Sequence, residues 1–391
     1  MSWQMHNLTQ ASQALKAIDE PASHVVQSEG TQHVFHRADL GGQETIVELW
    51  WSDGAHVHWG DLLENAAPEI RGGFHLPPYA THVLPSDQTQ HVFYSSGAAF
   101  EIWWRGGESA QVGNLCKAAG HEDAAAIGLS SHVFGVEGTQ HVFGRGSGII
   151  NPQAGPVTDH VIELWWTGPE APHLEDLNDR AKSTFLADSA TSCHTLELGP
   201  GGPNTQNVFY RSGRDIIRLT FRDGQWTSRN LSTSSAGEFT FASGSPASHA
   251  VAADGTHHVF YIGAEDRHIY EFSWTDSTDP VGRDLSVHAN GDGPTPLAAS
   301  NGFIGPTSHV FAQQGTQHVY YVDVDGNIIE LWWWPGQDPT HENLTAQSGG
   351  APLASPSKPA SHVFVEADRV PTQHVFYTST DADLIELWWR A

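Results

Sequence analysis

The sequence predicts an all-β fold, a seven-bladed β-propeller built of four-stranded antiparallel blades. One pattern of short β-branched and aromatic runs recurs seven times along the 391 residues, at a period of roughly 50–60 residues that is typical of propellers and solenoids. The chain stops directly after a third-strand pattern, and the missing fourth strand is found at the N-terminus. We therefore expect the N-terminal strand to complete the last blade and close the ring, which a linear solenoid would not need.

Each repeat contains four predicted strands, here called A to D from the channel outward. The patterns are His-Val-Phe for A, Gln-His-Val-Phe-Tyr for B, Ile-Glu-Leu-Trp-Trp for C, and a weaker segment ending in Asx-Leu for D. The predicted blades form one domain over 1–391 and span 22–63, 80–116, 130–178, 190–232, 247–286 and 307–345, with 1–10 and 360–391 together forming blade 7.

Composition excludes several classes of partner. The 18 Lys and Arg against 45 Asp and Glu give a net charge of −27, which argues against nucleic acid because phosphate backbones are bound by clustered cations. No apolar run is long enough for a membrane span, and no signal peptide is recognisable at the start. We expect a cytoplasmic protein, or one released without such a signal. Two cysteines cannot form a disulfide framework.

A histidine recurs on strand A of every repeat, and we expect these seven side chains to form a ring near the channel. Three interpretations stay open: a repeated structural hydrogen bond, a ligand contact, or a divalent metal site, since paired imidazoles can bind Zn²⁺ or Cu²⁺. No other cofactor is predicted. The ring consists of His24, His82, His132, His194, His249, His309 and His362.

Six repeats also carry a histidine on strand B, a glutamate on strand C and a tryptophan after it. A glutamate between large apolar residues is costly unless it is paired or lines a groove. It could pair with the histidine or the backbone, or accept hydrogen bonds from sugar hydroxyls, while tryptophan could pack between blades or stack on a ligand. The candidate ligand-binding residues are His33, Glu48, Trp51, His91, Glu101, Trp104, His141, Glu163, Trp166, His258, Glu271, Trp274, His318, Glu330, Trp333, His374, Glu386 and Trp389.

The fourth repeat departs from the pattern, because Asn207 and Arg218 replace the histidine and the glutamate. Six similar candidate sites favour multivalent binding over one catalytic centre, and no nucleophile elbow or phosphate-binding loop is present. The alternatives are a metal-binding protein or an enzyme acting on a small molecule, as in secondary metabolism. The single asymmetric site of such an enzyme would lie at the channel mouth, formed by repeat four and the insertions 146–159 and 183–203. No catalytic residue is assigned.

At these residues the chain resembles the fucose-specific β-propeller lectins of fungi and bacteria. The shared pattern is a polar residue on strand B, a glycine-containing hairpin, and a glutamate on strand C followed by tryptophan. His318 precedes Glu330 by twelve residues, as His374 precedes Glu386, and this is similar to the Arg-to-Glu spacing of those lectins. The resemblance implies sugar pockets between blades, with histidine here in the place of arginine.

The histidine content predicts sensitivity to acid. The charge of −27 counts all 25 imidazoles as neutral, and free histidine titrates near pH 6.5. We therefore expect solubility or ligand binding to change between about pH 7 and 5.

Overall fold

The computed structural model describes residues 3–52, 56–66, 76–151, 155–198, 204–291, 293–299, 304–365 and 370–390. Within them the chain forms seven antiparallel sheets of four strands, which are consecutive in six sheets and combine both ends of the chain in the seventh; one sheet carries a short extra strand. Strand A of each blade packs against strand A of the next, around the channel. The predicted seven-bladed propeller is confirmed. Residues 152–154 and 199–203 of the predicted insertions lie outside the described residues.

The strand bounds follow the predicted order from the channel outward. Blade 1 contains Ala22–Val26, Thr31–Asp39, Glu44–Trp51 and His58–Asp61; blade 2 Leu76–Val83, Gln90–Ser96, Ala98–Trp104 and Gln111–Asn114; blade 3 Ala125–Phe134, Thr139–Asn151, Gly155–Thr167 and His173–Asp176; blade 4 Ser192–Glu197, Asn204–Ser212, Asp215–Arg222 and Gln225–Asn230. Blade 5 contains Ala242–Val251, Thr256–Gly263, Ile269–Thr275 and Val281–Asp284, with Ala236–Gly237 parallel to the last of these; blade 6 Thr307–Phe311, Thr316–Val322, Ile328–Trp333 and Thr340–Asn343; blade 7 Ala360–Val365, Pro371–Thr378, Leu384–Arg390 and Gln4–Asn7.

The ring closes through the two ends of the chain. Strand Gln4–Asn7 pairs antiparallel with strand Leu384–Arg390, and Gln4 lies opposite Trp388. This confirms the expectation that the N-terminal strand completes the last blade, so all seven blades share the same four-strand plan.

A one-turn helix after each D strand was not predicted. The Asx residue that ends the strand also caps the helix: the Asn7 side chain accepts a hydrogen bond from the Gln10 backbone N–H at 2.9 Å, and Asp284 accepts one from Val287 at 2.9 Å. No helix in the described part of the chain is long and apolar enough to cross a membrane. The helices span Leu8–Ser12, Leu62–Ala66, Leu115–Ala118, Leu177–Arg180, Leu231–Ser234, Leu285–His288 and Leu344–Gln347.

The core lies between adjacent blades and contains a repeated aromatic contact. The Phe35 ring of blade 1 meets the Trp104 ring of blade 2 edge-on, with centroids 6.0 Å apart. The Phe93–Trp166 and Phe260–Trp333 pairs repeat this geometry. Edge-to-face aromatic contacts add to the large apolar area that these rings bury. They fix how closely neighbouring blades approach one another.

The register settles which side chains share a face. His24 lies directly opposite His33. The loop between strands A and B contains four residues, 27–30, and an even number of loop residues lets these two histidines, nine positions apart, pair directly. His33 in turn lies opposite Trp50, and Phe35 opposite Glu48. Since side chains alternate along a strand, one face of blade 1 therefore carries both histidines, Phe35, Glu48 and Trp50.

Candidate functional site

The gap between blades 1 and 2 contains a cavity of about 490 Å³. Blade 1 contributes His33, Glu48 and Trp50, and blade 2 contributes Gln90 and Trp104. The predicted His and Glu of one blade thus lie together in one gap. Trp51, by contrast, lies opposite Gln32 on the other face of the blade, so it faces the gap between blades 7 and 1.

Histidine and glutamate form a short hydrogen bond across strands B and C in this gap. The His33 Nδ1 to Glu48 Oε1 distance is 2.7 Å, and His33 Nε2 lies 2.8 Å from Thr31 Oγ1. Both ring nitrogens of His33 are therefore engaged, which fixes the orientation of the imidazole. Glu48 is 7% exposed, and no described residue forms a hydrogen bond with its second carboxylate oxygen.

The same His–Glu bond recurs in all six repeats that carry both residues. The Nδ1–Oε1 distances lie between 2.6 and 2.7 Å, and a threonine two residues before each histidine contacts its Nε2. Sequence analysis missed this threonine, although its position in each Thr-x-His run was visible. The pairs are His33–Glu48, His91–Glu101, His141–Glu163, His258–Glu271, His318–Glu330 and His374–Glu386.

Two further gaps contain cavities of the same construction. The gap between blades 2 and 3 encloses about 540 Å³ beside His91, Glu101 and Trp103, with Trp166 on the facing blade. The gap between blades 3 and 4 encloses about 200 Å³ beside His141, Glu163 and Trp165. It is narrower, and Phe221 and Trp226 of blade 4 form its facing wall.

The two tryptophans of a pair have different environments. The second, including the predicted Trp104, Trp166 and Trp333, is buried against the preceding blade. The first is only half-buried, and Trp50 lines the cavity of its own blade. Trp274 is buried in the same way as the second tryptophans, but it follows Ser273 and is not part of a pair. Because side chains alternate along a strand, the two members of a pair point to opposite faces, but alternation alone does not show which member stays accessible. The predicted tryptophans form inner walls, and the first tryptophans offer the open ring face.

Burial changes the electrostatics of the pairs. At His318–Glu330 burial lowers the pKa of the imidazole to about 3 and raises the pKa of the carboxyl to about 8. At Glu386 burial is outweighed by hydrogen bonds from His374 and His6, so the carboxyl pKa lies below its usual value. The pairs are thus not electrostatically equivalent, although their geometry is the same.

The seven strand-A histidines form a closed belt of hydrogen bonds between blades. In six blades the imidazole Nε2 contacts a glutamine on strand B of the next blade, at 2.8–3.4 Å; His194 contacts His257 instead, at 3.0 Å. Burial lowers the pKa of all seven imidazoles, to about 3 for His82 and His132. The partners are His24–Gln90, His82–Gln140, His132–Gln206, His194–His257, His249–Gln317, His309–Gln373 and His362–Gln32.

Within the described residues, one set of three candidate metal-ligand atoms lies within 4.8 Å, on Asp266, His268 and Asp284. It includes no residue of the ring. Asp284 caps a helix and contacts His268 Nδ1 at 2.8 Å, while Asp266 accepts a hydrogen bond from the Tyr270 hydroxyl at 2.7 Å. Metal binding at the His positions stays a prediction, to be checked by elemental analysis of untagged protein.

The gap between blades 4 and 5 differs from the others. Arg218 takes the place of the glutamate, and its guanidinium carbon lies 4.8 Å from the centroid of the Trp274 ring. Asn207 replaces the strand-B histidine and accepts a hydrogen bond from Thr220 at 2.9 Å. Thr220 stands opposite Asn207, where blade 1 has Trp50. This gap therefore presents a cation where the six others present a carboxyl group.

Comparison with known proteins shows likeness at the level of fold. The chain is similar to the Aleuria aurantia lectin, described as a six-bladed β-propeller with a novel fucose recognition mode, at 13% identity over 81% of this chain and 91% of that one (TM-score 0.50). It is also similar to AofleA from Arthrobotrys oligospora, at 16% identity over 81% and 83% (TM-score 0.50), and to the Hadza microbial sialidase Hz136, at 13% over 88% and 68% (TM-score 0.51). No family model and no curated protein matches. The resemblance to fucose-specific propeller lectins is confirmed for the fold.

Proposed function

We propose that this β-propeller is a multivalent carbohydrate-binding protein of the lectin type, with its sites in the gaps between blades. The observation that carries the proposal is a repeated combination: a cavity, a carboxylate fixed by a histidine, and an accessible indole. The cavities of about 490 and 540 Å³ fall within the range of small-ligand sites. Lectins with a related fold, including one described by its fucose recognition, support the proposal.

The chemistry of one site follows from the contacts in the gap between blades 1 and 2. The second oxygen of Glu48, with which no described residue forms a hydrogen bond, would accept hydrogen bonds from sugar hydroxyls, and charge-assisted bonds of this kind are strong. Trp50 would stack its ring on the apolar face of the sugar. Several such sites on one ring would act together through a high effective concentration on a glycan-bearing surface.

A glycan array followed by calorimetry tests this proposal. The array identifies a glycan, and calorimetry of the wild type is expected to give several equivalent sites per chain. The variants Glu48→Gln and Glu101→Gln each remove one carboxylate, so each is expected to lower the measured stoichiometry by about one. Glu122→Gln is the matched control, because Glu122 is exposed and lies near Lys117, 3.4 Å from its ammonium group.

The enzyme alternative gives a different result in the same experiments. No bound glycan, together with a single tight small-molecule site per chain, would refute the lectin proposal and favour one site at the channel mouth. Thermal unfolding of each variant separates a lost site from a lost fold, since a folded variant with unchanged stoichiometry also counts against the assignment.

A further inference from the structure

We propose that the gap between blades 4 and 5 binds an oxyanion, such as the carboxylate or sulfate group of an acidic sugar, through Arg218. This site is distinct in class from the six carboxylate-bearing gaps and does not depend on their binding neutral sugars. The argument rests on the missing partner of Arg218, on the surrounding charges, and on the platform that holds the guanidinium.

Arg218 forms no ion pair with a described residue; Asp276 is near enough to favour its charge but makes no hydrogen bond to it. Its Nε–H is shielded from solvent and meets no hydrogen-bond acceptor there. The neighbouring cations are paired: Arg229 Nη2 lies 2.8 Å from Asp279, and Arg222 Nη1 lies 3.8 Å from Asp276. A shielded donor without an acceptor is costly, so the gap offers an unused hydrogen-bond site with positive charge.

The strand register places a second positive charge beside Arg218. Arg218 on strand C lies directly opposite Arg229 on strand D, and like charges in this position destabilise a sheet. Asp276, the nearby carboxylate, is already 3.2 Å from His257 Nε2 and also faces Arg222. Asp279 compensates Arg229, so an external anion in this gap would act chiefly on Arg218.

Trp274 orients the guanidinium for recognition. The ring lies under the guanidinium plane at 4.8 Å, and Phe209 contacts the ring from blade 4 with centroids 5.8 Å apart. This contact engages the face of the guanidinium, whose N–H donors lie in its plane and point outward at the edge. That edge matches two oxygens of a carboxylate or a sulfate. Thr220 stands where blade 1 has Trp50, so blade 4 offers a polar side chain there in place of an indole.

Calorimetry at low salt with three probes tests the proposal: methyl glucuronide, methyl glucoside and inorganic sulfate. The wild type is expected to bind glucuronide, sulfate or both at one site per chain, and Arg218→Gln to weaken that binding about tenfold or more, since a charge-assisted bond is lost. Glucuronide alone would indicate a sugar acid, and binding of free sulfate would indicate recognition of the oxyanion itself. The glucoside is expected not to bind at this site.

Arg214→Gln is the matched control, because Arg214 is an exposed arginine of the same blade that also stacks on an aromatic ring, Phe241, at 5.1 Å. It is expected to bind the anions as the wild type does. Equal anion binding by wild type and Arg218→Gln, or no anion binding by a folded wild type, would overturn the proposal. Neutral glycan binding at the six other gaps is measured separately and is expected to be unchanged in Arg218→Gln, so the two proposals fail independently.

Discussion

The gap between blades 1 and 2 and the gap between blades 4 and 5 are built on the same scaffold but differ in polar chemistry. Both have the belt hydrogen bond at the channel, from His24 to Gln90 and from His194 to His257. Both have a Phe–Trp contact, at 6.0 and 5.8 Å. The polar residues between the blades differ, however. Blade 1 has His33 and Glu48, whereas blade 4 has Asn207 and Arg218 at the equivalent positions.

The comparison separates what holds the ring together from what a gap could bind. The contacts shared by both gaps are buried and link one blade to the next, so every blade needs them. The His–Glu pair lies within a single blade, across strands B and C, and blade 4 forms without it. We infer that the belt and the aromatic contacts stabilise the fold, while the polar pair is free to vary with the ligand.

Acid is expected to have the largest effect, because it acts on the belt in every gap. Burial lowers the pKa of the seven belt imidazoles below 6.5, so below about pH 6.5 the unfolded chain binds more protons than the folded one. Stability is then lost as the pH falls from 6.5 toward 3, by about 1.4 kcal/mol per pH unit for each such imidazole. Asp19 and Glu330, with pKa values raised to about 7 and 8, oppose this, but they are fewer.

Urea unfolding at pH 7, 6 and 5 measures this slope. His249→Gln is expected to reduce it by about 1.4 kcal/mol per pH unit, whereas the exposed His173→Gln is the control and should leave it nearly unchanged. A stability that is flat between pH 7 and 5 would contradict the belt assignment. Because burial lowers the pKa of the seven belt imidazoles, they contribute less positive charge to the folded chain in this range than free histidine would. The expectation from sequence that solubility or ligand binding changes between about pH 7 and 5 stays a prediction.

The aromatic contact provides the next largest effect. Trp104→Ala and Trp274→Ala each remove a buried indole, 8% and 5% exposed, and are expected to cost about 3–5 kcal/mol of unfolding free energy. Equal costs would confirm that both gaps share one scaffold. Trp50→Ala, which truncates a half-buried ring, is the matched comparison, with an expected cost of about 1 kcal/mol.

The effect of these variants on glycan binding should follow the opposite order to their effect on stability. Trp50→Ala is expected to lose the site between blades 1 and 2 while the protein stays folded, as followed by chemical denaturation and calorimetry on the same samples. A large loss of stability in Trp50→Ala, with glycan binding intact, would show that Trp50 is a structural residue and that its assignment to the binding site is wrong.

The sequence was sufficient for the fold because each repeat carries the same local signals. The seven Asx-Leu pairs and the split seventh repeat predicted the number of blades and their closure. The same Asx residues also carried the signal for the helices, since Asn7 and its equivalents are favourable helix caps, but it was interpreted only as the end of a strand.

The candidate sites were less predictable because they depend on contacts between blades. Alternation showed that Trp50 and Trp51 face opposite sides, but only the packing of blade 1 on blade 7 shows that Trp51 is the buried one. The glutamine before five of the six strand-B histidines was visible, yet its partner is the strand-A histidine of another blade, 58 residues away in His82–Gln140. No local sequence pattern predicts a contact between residues so far apart in the chain.

Converting one gap into the other is the smallest and most specific change. In Asn207→His combined with Arg218→Glu, blade 4 regains both members of the pair, and Thr205, buried two residues before position 207, would engage the new histidine as Thr31 engages His33. Stability is expected to change by about 1 kcal/mol or less, because the belt and the Phe209–Trp274 contact are untouched. Anion binding should be lost in the double variant. When Thr220→Trp is added, so that blade 4 also has an indole where blade 1 has Trp50, calorimetry with the neutral glycan should show about one more site per chain. If the folded double variant still binds the anion and the folded triple variant gains no neutral site, the polar pair does not decide what a gap binds, and the division between scaffold and site is wrong.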